Sequence, residues 1–231
     1  MPQYILCIES STTICSIAIF DTEGLLMGFE EETIPNSHAE KLAPLIRQCI
    51  FNSKLSFKNI AAVAISIGPG SYTSLRVGLS TAKGICYALG IPLIGIPSDH
   101  ILIEGNKNLA IEKKCSGIIA MIDARRMEAY CSEYNLGTGK ISESKPVILE
   151  ENSFEHAFSE GGKLALCGNG AEKYYNTVDS NKFVLLEKQT SSLFMGPMSV
   201  NRFTNQKFDD TAYTNPIYVK PPNITLTKKK L

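Results

Sequence analysis

The chain of 231 residues contains no tryptophan and only three histidines, and its 23 basic and 23 acidic side chains leave no net charge. That balance argues against a grip on nucleic acid or anionic membrane driven by charge alone. His38, His100 and His156 have no metal-ligand spacing, so neither H-E-x-x-H nor a simple zinc constellation exists. The seven cysteines never come closer than eight residues, which excludes C-x-x-C redox and zinc-ribbon patterns, and their odd number argues against a disulfide framework. Cys7, Cys15 and Cys86 sit in apolar runs and read as small core residues. No window approaches the length of a membrane span, and Met1-Pro2-Gln3-Tyr4 lacks the basic region of a signal peptide. Walker A, G-x-G-x-x-G and G-x-S-x-G are all missing. The expectation is a reduced, soluble, cytoplasmic protein with no metal site and no visible catalytic machinery. After Asp210 no acid occurs, and Lys220, Lys228, Lys229 and Lys230 leave a basic tail, either a solvated end or a contact for RNA.

What is present is organised around Ile60 to Gly78. Ile60 to Ile67 is nearly all apolar or small, the mark of a strand buried on both faces. Gly68-Pro69-Gly70 ends it as a tight turn, Ser71 offers an N-cap, and a helical pattern runs from Tyr72 to about Leu89 with Gly90 as C-cap. Strand, glycine loop and helix together present backbone N–H groups and a positive helix end to an anion. The same pattern also suits a plain connection in an α/β domain.

Around this unit, Tyr4–Ile8, Ile14–Phe20 and Leu25–Thr33 read as an antiparallel meander, and Ser37–Ser53 as a helix with Ser37 and Glu40 as capping box and Pro44 as a kink. Pro92–Ile94 is a fifth strand. The second half repeats the scheme: strands at Gly117–Ile122, Met127–Tyr134 and Lys140–Leu149, a weak helix at Asn152–Phe158, and a strand at Lys163–Cys167. There follow a second glycine turn at Gly168-Asn169-Gly170, a helix at Ala171–Tyr175, a strand at Phe183–Leu186 and a final helix at Ser191–Gln206. Apolar pattern gives way to polar residues between Ser98 and Asn108, which reads as the boundary between halves.

Two features suggest function. Ser74, Gly78, Thr81, Gly84 and Ala88 form a stripe of small residues on the central helix, and each glycine costs about 1 kcal/mol of helix propensity. The stripe serves either close packing inside the domain or a helix from a partner. Glu9, leaving the first strand beside Ser10 and Ser11, is the best acid for a nucleotide or metal site, with Gly68 and Gly70 completing an anion-binding set. Asp123 with Arg125 and Arg126 makes a charged turn that suits a binding edge or a local salt bridge.

The stretches ILCIESSTTICSIAIFD, SHAEKLAPLIRQCI and AISIGPGSYTSLRVGLSTAKGICYALGIPLIGIPS, with IDARRMEAYCSEY and NPIYVK, resemble the TsaB (YeaZ) family. Those proteins are relatives of the TsaD/Kae1 glycoprotease-like group in the actin–Hsp70–sugar kinase superfold. The resemblance implies a two-lobed α/β fold of duplicated βββαβα halves with mixed sheets, divided here as 1–101 and 102–231, with the C-terminal tail packed back on the first lobe. It implies a non-catalytic scaffold or dimerisation subunit in forming N6-threonylcarbamoyladenosine in tRNA, beside a TsaD-like transferase and a TsaE-like ATPase. A homodimer is the alternative assembly, any tRNA contact is weak or indirect, and no membrane is involved. No cofactor of its own is expected, with ATP or ADP at the partner interface. TsaD-type enzymes carry a metal-binding H-x-x-x-H after the fifth strand. Here Gly95-Ile96-Pro97-Ser98-Asp99-His100 offers one histidine, which favours TsaB and closes a metallopeptidase reading. The Glu9-Ser10-Ser11-Thr12 turn also lacks the glycine of ATP-hydrolysing members. Family pairing through first-lobe helices assigns Ser74, Gly78, Thr81 and Gly84, bordered by His38 and Leu42, to a partner-binding patch. A bulky residue at Gly78 should then abolish pairing and leave the monomer folded. The rival reading is an ATP-dependent small-molecule kinase of the same superfold, with only Glu9 and Asp123 as available carboxylates.

Overall fold

The computed structural model describes residues 3–34, 38–157, 162–178, 181–187 and 189–220. β1 (Tyr4–Glu9) and β2 (Cys15–Asp21) pair antiparallel with Glu9 opposite Ser16, and β3 (Leu26–Glu32) completes the meander. α1 (His38–Asn52) leads to β4 (Ile60–Ser66), parallel to β1, and α2 (Tyr72–Leu89) leads to β5 (Leu93–Ile96), parallel to β4. The Ser37 half of the expected capping box lies outside the described residues, and α1 runs on through Pro44. α2 begins and ends where its caps put it: Ser71 Oγ accepts from the Ser74 amide, and Gly90 takes the left-handed conformation with φ 65°.

β6 (Cys115–Asp123), β7 (Glu128–Asn135) and β8 (Lys145–Ile148) form a second meander. β9 (Lys163–Cys167) lies parallel to β6; then come α4 (Ala171–Tyr175) and β10 (Phe183–Leu186), parallel to β9. The two sheets run β3-β2-β1-β4-β5 and β8-β7-β6-β9-β10, one order used twice. Even the glycine turns correspond: Gly68 after β4 and Gly168 after β9 have φ of 104° and 100°, values that favour glycine. The duplication is less complete in detail. A short 3₁₀ turn, Glu155–Ala157, stands where the first half has α1, and the third strand shrinks to four residues, with Ile141 reaching Tyr134 as an isolated bridge. The expected final helix splits into a 3₁₀ turn, Ser192–Met195, and α5 (Gly196–Thr204).

The expected boundary is the main correction. Residues Ser98–Glu112 form α3, so a division at 101/102 cuts a helix. α3 lies between the sheets: Ile101 joins the first lobe's core, while Leu102, Ile103 and Ala110 join the second's. A helix buried on opposite sides has no single apolar stripe, so its sequence looks polar and irregular. Its counterpart makes the reverse journey. Met195 and α5 cover the first sheet through Ile5, Cys7, Ala18, Ala62 and Ile94. With α1 and α2 on the opposite face against Leu6, Ile8, Ile17 and Val63, both faces of the first sheet are covered, which is why its central strands are continuously apolar. The 3₁₀ turn meets α3 closely enough that a Cβ on Gly105 would lie 2.4 Å from the Phe194 ring.

Beyond α5 the chain returns along the first lobe as an extended strap. Asp209 accepts from the Gly95 amide at 2.6 Å and pairs with Arg202 at 2.8 Å. The Ile217 amide donates to the Ile67 carbonyl at 2.7 Å, and Lys220 ion-pairs with Glu128 of β7. Among the described residues no helix is long and apolar enough to cross a membrane.

Candidate functional site: an interlobe cleft and an open helix face

The carboxyl ends of β1 and β4 face those of β6 and β9 across a cleft of about 480 Å³. One wall holds Ser11, Thr12, Thr13 and the Gly70–Ser74 segment that opens α2; the other holds Asp123, Arg125, Glu128 and Asn169. Tyr218 and Lys220 of the strap form part of the rim. Hydroxyls, helix-start amides and one guanidinium suit hydrogen bonding to a polar ligand. Among the described residues, no group of three or more His, Cys, Asp or Glu side chains could hold a metal ion.

The expected anion-binding set divides. Ser11 and Gly70 line the cleft. Gly70 also fits against the first loop, since a Cβ there would lie 2.2 Å from the Ser11 carbonyl oxygen, and the Ser71 amide donates to that oxygen at 2.7 Å. Glu9, Ser10 and Gly68 are corrected. Glu9 is fully buried and turned onto its own loop, where Oε1 accepts from the Ser11 amide at 2.7 Å and from the Ser11 hydroxyl at 2.5 Å. Burial pushes its carboxyl up to about 7, against the lowering pull of the Ser11 and Ser66 hydrogen bonds. Ser10 is buried under α2, its amide donating to Ser66 Oγ. Gly68 lies beneath the strap, where a Cβ would meet the Ile217 carbonyl oxygen at 2.9 Å.

Asp123 does reach the cleft, but the expected pairing with Arg125 and Arg126 is replaced. Its Oδ1 accepts from Lys173 of α4 at 2.5 Å and from the Arg125 amide at 3.2 Å. Lys173 also donates to the carbonyls of Arg126 and Glu128, so one ammonium fastens the turn. Arg125 and Arg126 both have positive φ, 70° and 49°, a conformation that costs ordinary residues about 1 kcal/mol or more. Glu9 uses only Oε1 in its bonds to Ser11, and its Oε2 is buried without a hydrogen-bond partner among the described residues.

The small-residue stripe divides as well. Ser74 and Gly78 face inward, and a Cβ on Gly78 would lie 2.0 Å from Ser10 Oγ, so this glycine admits the β1–β2 turn and not a foreign helix. Leu42 is core, and His38 is buried with Nε2 3.4 Å from the Ile14 carbonyl; burial lowers its pKa. His38 lines the cleft instead of bordering a helix patch. Thr81 and Gly84 remain on the accessible side. Around Gly84 a Cβ would meet nothing within 4 Å, and Ala88 is exposed. On α1, which packs against α2, Ala43, Pro44 and Arg47 are exposed, and Phe51 is 80% exposed. Helical period alone places Ser74 and Gly78 with Thr81 and Gly84; which edge of the stripe is inside depends on where the sheet lies.

Lys173, Glu128 and Asn169 carry no signal in the sequence that marks them for the cleft, and the expected return of the C-terminal segment onto the first lobe comes with no residue-level contacts attached. The Asn215–Lys220 segment stood out only as family-like, because an extended segment held by backbone bonds carries no periodic signal.

The sequence profile described as TsaD, tRNA N6-adenosine threonylcarbamoyltransferase, matches residues 26–182. The tRNA threonylcarbamoyladenosine biosynthesis protein TsaB of Escherichia coli K12 is 26% identical over 224 residues, covering 94% of each chain. The protein of the same name from Buchnera aphidicola subsp. Acyrthosiphon pisum is 30% identical over 159 residues, 65% of this chain and 70% of its own. Among solved structures, YeaZ from Pseudomonas aeruginosa superposes with a TM-score of 0.79 at 21% identity, over 94% of this chain and 99% of that one.

Proposed function

Because the chain belongs to the TsaB (YeaZ) family, within the range of the TsaD profile, we propose that it serves tRNA threonylcarbamoyladenosine biosynthesis as a non-catalytic subunit that pairs with a TsaD-like transferase. A TsaE-like ATPase acts on that pair, any ATP or ADP sits at the shared interface, and the chain forms a homodimer when its partner is absent. The observation that carries the reading is the open face of α1 and α2, where Thr81, Gly84 and Ala88 present small side chains on α2 and Phe51 is exposed on the adjoining α1. Small side chains let a second helix approach closely, and an aromatic ring supplies apolar area at the rim of such a contact. The placement of Glu9 beneath its own loop, outside the cleft lining, and the ion pair of Asp123 with Lys173 support a subunit that leaves the chemistry to its partner.

Light scattering of the chain alone and mixed with the TsaD-like protein of the same source tests this, together with mass-spectrometric detection of the modified nucleoside in tRNA. A defined complex, and modification that requires this chain, are expected. Failure to pair, coupled with tight ATP binding by the single chain, would overturn the scaffold reading in favour of the kinase.

A further inference from the structure

The zero net charge hides a strong asymmetry. Between Glu40 and Asp99 the chain has six basic residues and no acid, and from residue 211 to its end it has four lysines and no acid. These two acid-free stretches meet in the fold, because the strap crosses α2. Lys83 donates to the Ala212 carbonyl at 3.0 Å, and Arg76 Nε donates to the Tyr218 hydroxyl at 3.0 Å. Glu30, Glu31 and Glu32 belong to β3, at the opposite edge of the sheet. The acids nearest the strap are engaged: Asp209 by Arg202 and the Gly95 amide, Asp210 by the Ala212 and Tyr213 amides, and Glu128 by Lys220.

Aromatic rings are interleaved with these cations. At 3.6 residues per turn, Tyr72, Arg76, Lys83 and Tyr87 fall within an arc of about 60° along roughly 22 Å of α2. Tyr72 and Tyr218 lie with ring centroids 5.2 Å apart, and the Arg76 guanidinium sits 4.2 Å over the Tyr72 ring. All these tyrosines are exposed, Tyr87 by 89%, and Tyr213 of the strap joins them at 81%. This arc is separate from the Thr81, Gly84 and Ala88 face, so one helix carries two surfaces of different chemistry. Exposed rings set among guanidinium and ammonium groups fit bases that stack and phosphates that pair, the chemistry of an unpaired nucleic-acid strand.

We propose that the tyrosine–cation face of α2 and the strap is a contact surface for single-stranded RNA. The inference rests on the role in tRNA modification proposed above, in which the occupant is an unpaired loop of the tRNA. Fluorescence anisotropy of the full chain with a labelled RNA stem-loop, against a blunt duplex of the same stem, tests it. The stem-loop should bind more tightly, and its affinity should fall about tenfold between roughly 50 and 200 mM salt, as for two to three phosphates. Tyr72→Ala with Tyr218→Ala should weaken binding about tenfold or more, consistent with loss of stacking. Tyr218→Phe, which keeps the ring and loses only its bond to Arg76, should bind nearly as wild type. Arg76→Gln, on an exposed side chain, should weaken binding and flatten the salt dependence. Equal binding of stem-loop and duplex, or indifference to the tyrosine variants, overturns the proposal even where the chain still pairs with its TsaD-like partner. If the double variant loses that pairing but keeps RNA binding, the face is a protein interface and the proposal also falls. The family role fails separately, by absent pairing and absent modification with RNA binding intact.

Discussion

Glu9 and Asp123 occupy the same place in the two lobes, each at the carboxyl end of the central strand, and each accepts a hydrogen bond from the amide two residues on. Their environments then diverge. Glu9 is fully buried with hydroxyls as its neighbours, whereas Asp123 is part-exposed and paired with Lys173. One duplicated position has become a buried acid in the first lobe and an ion-paired turn in the second.

That divergence makes Glu9 a source of pH dependence. Its folded-state pKa, near 7, lies above the ordinary carboxylate value, so the folded state holds the proton more tightly than the unfolded chain. The resulting stability is fully present below about pH 4.5 and is lost as the pH rises towards 7, at most about 3 kcal/mol. Glu9→Gln keeps an acceptor for the Ser11 amide and has no charge to desolvate. Thermal unfolding midpoints of the wild type should fall from pH 5 to pH 8 relative to this variant; parallel curves for the two would contradict the assignment.

Gly78 and Gly84 should respond to alanine with opposite signs. Gly84→Ala adds a methyl group to open space and should stabilise the fold by up to about 1 kcal/mol through helix propensity. Gly78→Ala drives a Cβ onto Ser10 and should destabilise by about 1–3 kcal/mol, partly relieved by Ser10→Ala. Urea denaturation of the three variants and the double mutant measures both the signs and the coupling.

At the pairing face, Gly84→Trp and Phe51→Asp should each abolish the complex with the TsaD-like partner and leave the unfolding midpoint within a few degrees of wild type. A midpoint unchanged together with an intact complex would remove α1 and α2 from the interface.

Lys173→Met removes the donor shared by Asp123 and the carbonyls of Arg126 and Glu128. The loss should cost about 1–3 kcal/mol and leave a turn with two left-handed arginines unsupported. Hydrogen exchange should accelerate at residues 124–128 more than in the β6 strand; uniform acceleration would mean that Lys173 acts on the lobe as a whole.

Much of the frame is legible in the residues, and the reasons are local. Ile60–Ser66, Ser71, Gly90, Lys163–Cys167 and Ala171–Tyr175 declare themselves because strand, cap and helix signals are set by neighbours in sequence. What was hidden depends on distant partners. Ser74 and Gly78 point at Ser10, not at a visitor, and α3 reads as a polar boundary because two different cores share it. Ser11 and Gly70 line the cleft that their loops suggest, whereas Glu9 turns onto its own loop, since a carboxylate at a strand end serves its own turn as readily as a ligand. Lys173 lies about fifty residues from the acid it neutralises, and no spacing rule connects them.

The crossing of α3 and α5 has a consequence for how the molecule comes apart. Each sheet borrows the helix that seals one of its faces from the opposite half of the chain: α3 lies on the second sheet and α5 on the first. Two copies of a single half, set side by side and exchanging their last helices, would reproduce this arrangement as a domain-swapped dimer. Joined in one polypeptide, the exchange becomes a mutual dependence. Melting either sheet uncovers apolar surface on the other, so the two lobes unfold as one cooperative unit, and neither half severed from its neighbour would keep its shape.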